Sequence, residues 1–68
     1  MIKLKTNLKV LRAIHNLTQE ELANKVDVSR NTINNLERGE FSPSLLLVWK
    51  IAKLFNKQID EIFYYDEQ

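Results

Sequence analysis

The stretch Ser29-Arg30-Asn31-Thr32-Ile33-Asn34-Asn35-Leu36-Glu37-Arg38-Gly39 carries the residues of this chain best suited to recognition chemistry. A Ser N-cap and a Gly stop frame it as a short helix. At helical spacing Ile33 and Leu36 face inward, with Glu37 on the flank of that stripe. Arg30, Asn31, Asn34, Asn35 and Arg38 face outward. An ordinary solvated face is built of Lys, Glu, Gln and Ala. Asn is a poorer helix former than Ala, by up to about 0.7 kcal/mol per residue. Three Asn and two Arg, with no acid among the five, give up helix stability for hydrogen-bonding side chains. The Asn amide matches the N6/N7 edge of adenine, and the Arg fork matches the O6/N7 edge of guanine. Such a face can read bases in the major groove of DNA.

That helix must be held in place by the element before it. Leu17-Thr18-Gln19-Glu20-Glu21-Leu22 opens another helix. Thr18 is a good N-cap and Glu21, three residues on, completes a capping box. Leu17 before the cap and Leu22 after it form a hydrophobic staple, and Val28 and Ile33 repeat the device around Ser29. The two helices would meet at a tight turn near Asp27-Val28, with small Ala23 where they approach closely. Two capped helices joined by so short a turn describe a helix-turn-helix.

The run TQEELANKVDVSRNTINNLERG, residues 18–39, resembles the signature of the lambda repressor/Cro-type, or XRE-type, helix-turn-helix family. Several residue types recur in order at fixed spacing, and the family's domain would span residues 7–63. The resemblance implies an all-α fold of five short helices. It implies that Gln19 contacts a phosphate and braces the reading helix. It places Ser29, Arg30, Asn31, Thr32, Asn34 and Asn35 against bases or backbone, and Arg38 near phosphates. It also implies a partly buried ion pair between Arg12 and Glu37. Lys9 is a further candidate phosphate contact. The chain departs from the family at Asp27, where Gly is usual, and at Lys57, where an apolar residue is usual. Asp tolerates a left-handed turn residue at modest cost, so the turn is expected to survive.

Sixty-eight residues predict one small domain, 1–68. There is no cysteine, so no disulfide or Cys-based metal site can staple it. The fold must rest on core packing, helped by dimerisation. No apolar run approaches the roughly 20 residues of a membrane span, and no signal-peptide pattern is present. A cytoplasmic location is the expectation. The net charge of +1 says little about partners, but its distribution says more. Residues 1–38 carry seven basic against four acidic side chains, and residues 39–68 carry three against five. One pole can face phosphate while the other faces away.

The remaining chain predicts a helix over residues 7–16, capped by Asn7 or Thr6, with Leu8, Leu11 and Ile14 inward. Ile2 and Leu4 alternate with Lys3 and Lys5 as in a short strand. Ile62-Phe63-Tyr64-Tyr65 is rich in strand-favouring residues, so a two-stranded ribbon of the termini is expected. Ser42-Pro43 marks a helix start, with Ser42 as cap and Pro43 first. That helix would run Leu45 to Phe55 and stop at a left-handed Asn56. Leu45, Val48, Ala52 and Phe55 make a core stripe. Leu46, Leu47 and Trp49 then need cover, as do Ile59, Ile62 and Phe63 of a last short helix. This surplus predicts a dimer interface of Leu46, Leu47, Ile59, Ile62 and Phe63.

Catalysis finds no support. Glu20 and Glu21 are adjacent on a helix, so they point about 100° apart, and capping explains Glu21. A single His and no Cys leave no nucleophile–base arrangement. His15 has no second ligand within a helical turn, so no metal is expected, and no cofactor. Trp49 in an apolar helix reads as core or interface. The expected function is a homodimeric, sequence-specific transcriptional repressor that binds a near-palindromic site in double-stranded DNA. The alternatives are the antitoxin of a toxin–antitoxin pair and a protein-interaction adaptor on the same fold. The Asn/Arg face argues against the adaptor, because a protein-only role gives no reason for it.

Overall fold

The structure is a computed structural model that describes residues 2–40 and 42–67. In chain order the elements are β1 (Ile2–Thr6), α1 (Leu8–Ile14), α2 (Gln19–Lys25), α3 (Arg30–Glu37), α4 (Leu45–Phe55), α5 (Ile59–Ile62) and β2 (Phe63–Glu67). The five helices surround one core, and the two strands pair antiparallel with Leu4 opposite Tyr65 and Thr6 opposite Phe63. Leu4 packs against the core and Lys5 is exposed, as alternation predicts. The side chains of Ile2 and Lys3 lie outside the described residues.

The helix ends share one device. Asn16, Asp27, Gly39 and Asn56 all take positive φ, and each follows a helix. The next residue then donates its N–H five residues back: Leu17 to Arg12, Val28 to Ala23, Glu40 to Asn35 and Lys57 to Ala52, all at 2.9–3.0 Å. These bonds satisfy carbonyls that a helix end would otherwise leave open. The chain has a single Gly, so Asn and Asp fill the other three left-handed positions. Asp27 at φ 63° therefore keeps the turn between α2 and α3. Lys57 likewise closes the turn into α5 through its backbone, with its side chain exposed.

The starts are capped by side chains. Thr18 and Glu21 form the full capping box, with Glu21 N donating to Thr18 Oγ1 at 3.0 Å and Thr18 N donating to Glu21 Oε1 at 2.8 Å. Those bonds, the Thr18 N–H foremost, hold the Glu21 carboxyl below the ordinary Glu range. The contribution is present at neutral pH and is lost as pH falls through the lowered value. At the start of α1 the expected cap is divided between two residues. Asn7 occupies the cap position, but Thr6 Oγ1 accepts the Leu8 N–H at 3.1 Å. The Asn7 side chain instead donates to the Glu61 carbonyl at 2.9 Å, and the Thr6 hydroxyl donates to the Ile62 carbonyl at 2.8 Å. The two ends of the domain are thus stitched together beside the ribbon.

Three expectations are corrected. The cap of α4 is Ser44, whose Oγ accepts the Leu47 N–H at 3.1 Å, so Ser42 and Pro43 precede the helix. Ile14 is 67% exposed. Steps of three residues turn a helix by 300°, so the series Leu8, Leu11, Ile14 drifts 120° from its first member. Leu47, Ile51, Ala52 and Phe55 form the buried stripe of α4, while Leu45 is 78% exposed. Nine of the eleven residues of α4 are apolar, so composition could not select its inner face. Ile51, absent from the expected stripe, has no exposed surface. Truncating Ile51→Ala is expected to cost about 2–5 kcal/mol, and Leu45→Ala less than about 0.5 kcal/mol, in urea denaturation. Equal losses would mean that α4 faces the other way.

Candidate nucleic-acid interface

The interface is built on α3. Ser29 Oγ accepts the Thr32 N–H at 3.1 Å and lies 2.9 Å from the Thr32 hydroxyl. This cap orients the first turn, and Val28 packs on the core beside it. Ile33 and Leu36 anchor the inner side with 0% and 1% exposure. That leaves Arg30 and Asn31 exposed at the N-terminal end, Thr32, Asn34 and Asn35 half-buried along the middle, and Arg38 exposed at the last turn. Arg38 Nη2 lies 3.1 Å from Glu40 Oε2, an exposed pair held only weakly.

Beneath this face sits a polar network centred on Glu37. Arg12 Nε donates to Glu37 Oε2 at 2.7 Å, and Arg12 Nη2 donates to Oε1 at 3.3 Å. The third Arg12 nitrogen, Nη1, donates to the Leu17 carbonyl at 2.9 Å. From α2, Gln19 Nε2 donates to Glu37 Oε1 at 3.0 Å and to Asn34 Oδ1 at 3.3 Å. The side chains of Arg12 and Glu37 are only 16% and 4% exposed. The guanidinium fork meets the carboxylate on two edges, the geometry in which Arg cannot be replaced by Lys. The network joins α1, the turn after it, the start of α2 and the last turn of α3. Sequence reasoning did not find the bonds from Arg12 to Leu17 and from Gln19 to Asn34. Nothing in residue spacing marks a backbone carbonyl as an Arg acceptor.

The Gln19 contact has a chemical consequence for Asn34. Its carbonyl oxygen is engaged from inside, which leaves the amide nitrogen as the group to offer outward. Lys9 is exposed on α1, one turn ahead of Arg12 and therefore on the same side of that helix. The His15 ring packs against Phe55, with centroids 5.0 Å apart. Among the described residues, no group of His, Asp and Glu could hold a metal ion. Among the described residues no helix is long and apolar enough to cross a membrane.

Residues 8–62 match a helix-turn-helix family model. The chain belongs to the XRE-type helix-turn-helix family. It is similar to the HTH-type transcriptional regulator MJ0272 of Methanocaldococcus jannaschii, 53% identical over 64 residues that cover 94% of this chain and 97% of that protein. Among solved structures it resembles the restriction-modification controller protein C.AhdI of Aeromonas hydrophila. The identity there is 31% and the TM-score 0.71, over 79% of this chain and 78% of that one. A putative DNA-binding protein from Bacteroides fragilis matches with TM-score 0.77 and 28% identity, over 90% of this chain and 98% of that one. This XRE-type chain is therefore a transcriptional regulator with a DNA-binding fold, not an enzyme.

Of the expected interface residues on the apolar side, Leu46 and Ile59 are 60% and 41% exposed. Leu47, Ile62 and Phe63 are instead core residues, at 6%, 0% and 6%. They belong to the one core cluster, where α5 packs against α4 and β2 follows α5, which sequence spacing does not show. Trp49 is 51% exposed, with the Lys53 ammonium 5.6 Å from its ring. The exposed apolar surface there consists of Leu45, Leu46, Trp49 and Ile59.

The network makes Arg12 and Glu37 mutually dependent. Removing one partner of so enclosed a pair is expected to cost about 3–5 kcal/mol. Denaturation of Arg12→Met and Glu37→Gln, singly and together, should give a double-mutant loss well below the sum of the singles. Additive losses below about 1 kcal/mol would place the pair effectively in solvent.

Proposed function

We propose that this regulator is a homodimeric repressor that reads a near-palindromic operator by laying α3 in the major groove. The observation that carries this reading is the exposed N-terminal end of α3, Arg30 and Asn31, on a helix held rigid by the Arg12–Glu37–Gln19 network. Base recognition needs donors fixed to within a fraction of an ångström, and this network supplies that. Arg30 and Asn31 read base edges, and Asn35 lies beside them. Asn34 offers its amide nitrogen to an acceptor such as guanine O6 or thymine O4. Ser29 and Thr32 lie at the groove edge beside the backbone. Lys9 and Arg38 contact phosphates through their side chains and Gln19 through its backbone N–H at the start of α2, its amide protons being held by Glu37 and Asn34; such contacts position the domain and carry no sequence information.

One reading helix touches too few base pairs for useful selectivity in a genome. A dimer doubles the contacts and sets two half-sites about 34 Å apart, one turn of DNA. The exposed Leu45, Leu46, Trp49 and Ile59 supply an apolar surface for it. A dimer seated on a promoter hinders polymerase by occupancy. The relation to regulators such as MJ0272 supports the general reading; the dimer, the operator and the sign of regulation are this proposal's own.

Titrations of cognate and scrambled duplexes at several salt concentrations test the DNA face. Arg30→Ala or Asn31→Ala should cost about 1–3 kcal/mol and relax preference at one base pair. Lys9→Ala should weaken all sequences alike and lower the salt slope by about 1. Sequence preference left intact in Asn31→Ala, Asn34→Ala and Asn35→Ala alike would refute the assigned face.

Assembly is tested by sedimentation equilibrium. Ile59→Asp places a charge in the apolar contact, and is expected to give folded monomers that bind operator weakly. A wild type that stays monomeric with and without operator would overturn the dimer.

A further inference from the structure

We propose that Gln19 sets a base preference of α3 without touching a base: it holds the Asn34 carbonyl, makes Asn34 a donor-only reader, and so selects guanine or thymine over adenine where Asn34 meets the groove. The inference rests on the reading of α3 as the base-contacting helix and deepens it at one residue. The order of donors runs outward from α1. The Arg12 guanidinium has donors and no acceptor. Two of its nitrogens face the Glu37 carboxylate, at 2.7 and 3.3 Å. A carboxylate so paired only accepts. It therefore fixes the Gln19 amide with its nitrogen inward, Nε2 donating to Glu37 Oε1 at 3.0 Å. The reversed amide would set a carbonyl oxygen against the carboxylate. The second proton of the same nitrogen goes to Asn34 Oδ1 at 3.3 Å. A reversed Asn34 would set one amide nitrogen against another.

The outer end of this chain of bonds is therefore a nitrogen. Among the described residues, Asn7 Oδ1 is the buried side-chain polar atom left without a partner. Asn34 is half-buried and its Nδ2 has no partner either, so Nδ2 reaches solvent. Reading adenine takes both ends of an amide, the oxygen for the N6 amino group and the nitrogen for N7. Asn34 has one of them to give. Guanine presents N7 and O6, both acceptors, and thymine presents O4. Opposite adenine the N6 amino group loses its acceptor, and a donor left unpaired in a contact is costly. Asn31, on the same helix, is exposed and its side chain makes no hydrogen bond among the described residues, so both its ends stay free. Two asparagines of one helix thus read different edges, and the cause of the difference lies on α2.

Competition titrations with duplexes that differ at one base pair test the inference. Asn34→Ala locates the pair, as the position whose preference it relaxes. There the wild type is expected to bind guanine or thymine about tenfold more tightly than adenine. Gln19→Met removes both amide bonds and keeps the backbone N–H at the start of α2. It is expected to weaken binding to every duplex a few-fold and, at the Asn34 position, to bring adenine level with guanine or above it. Asn34→Asp keeps one oxygen for Gln19 and turns the other outward as an acceptor. It is expected to shift that position toward adenine or cytosine, the bases that present an amino donor. Circular dichroism confirms the fold of each variant, and should Gln19→Met unfold, the Asn34→Asp series decides. A wild type that prefers adenine at this position, a Gln19→Met that weakens every duplex alike, or an Asn34→Ala that relaxes no position would overturn the inference. Preferences still lost in Arg30→Ala and Asn31→Ala would then leave α3 standing as the reading helix. Preferences untouched in all three Ala variants would overturn the reading helix itself.

Discussion

A single carboxylate, that of Glu37, governs the geometry of the polar face of α3. It is almost fully enclosed, and it accepts from the Arg12 guanidinium on α1 and from the Gln19 amide on α2. An enclosed carboxylate without partners would carry a large desolvation penalty. The chain therefore cannot rotate α3 or slide α2 without exposing or stranding that charge. Apolar packing of Ile33 and Leu36 is non-directional and would tolerate small rotations. Charge-assisted hydrogen bonds are short and directional, so they fix what packing leaves loose. The same Gln19 amide reaches Asn34, so the brace extends to a residue of the outer face.

Around that centre the fold economises on length. Four helices end in one left-handed residue followed by a backbone bond five residues back. Turns of this kind let short helices change direction without losing their terminal carbonyls to an apolar interior. The side chains of Thr18, Ser29 and Ser44 cap three of the starts. Helices of seven or eight residues would be marginal in isolation. Here each is closed at both ends and buries two or more apolar residues in one shared core. The ribbon of β1 and β2 covers the remaining flank, and bonds from Thr6 and Asn7 to the end of α5 bring the first and last segments into that core.

The molecule thus has two surfaces of different chemistry. One presents the Arg and Asn side chains of a braced helix, Arg30, Asn31, Asn34, Asn35 and Arg38. The other presents Leu45, Leu46, Trp49 and Ile59, with acidic and basic groups along the same groove. The proposed homodimer on a near-palindromic site would use both kinds of surface. The DNA contacts must be polar and replaceable base by base.

The local elements were legible from residues alone because their signals are local. Thr18 with Glu21, Ser29 with Gly39, and Asn56 at the end of α4 act through their own backbone neighbours. The alternation of Leu4 and Lys5 and the aromatic run Phe63-Tyr64-Tyr65 likewise announced the ribbon. The polar face of α3 was readable for the same reason, since three poor helix formers on one side of a helix need an explanation that lies outside the helix. What residues alone did not determine was the choice among equivalent apolar side chains. In α4 nearly every position is apolar, so the inner face was chosen by what packs against it: Ile51 went in and Leu45 stayed out. Leu47, Ile62 and Phe63 were hidden by the packing of α5 on α4 and the shared core it closes. The start of α4 moved from Ser42 to Ser44 because two serines flank one proline and both can cap. The bond between Gln19 and Asn34, 15 residues apart, exists only because the turn at Asp27 brings two helices together. Hydrogen-bonding capacity and helix propensity are properties of a residue, whereas burial is a property of a residue's neighbours, and only the tertiary structure supplies those.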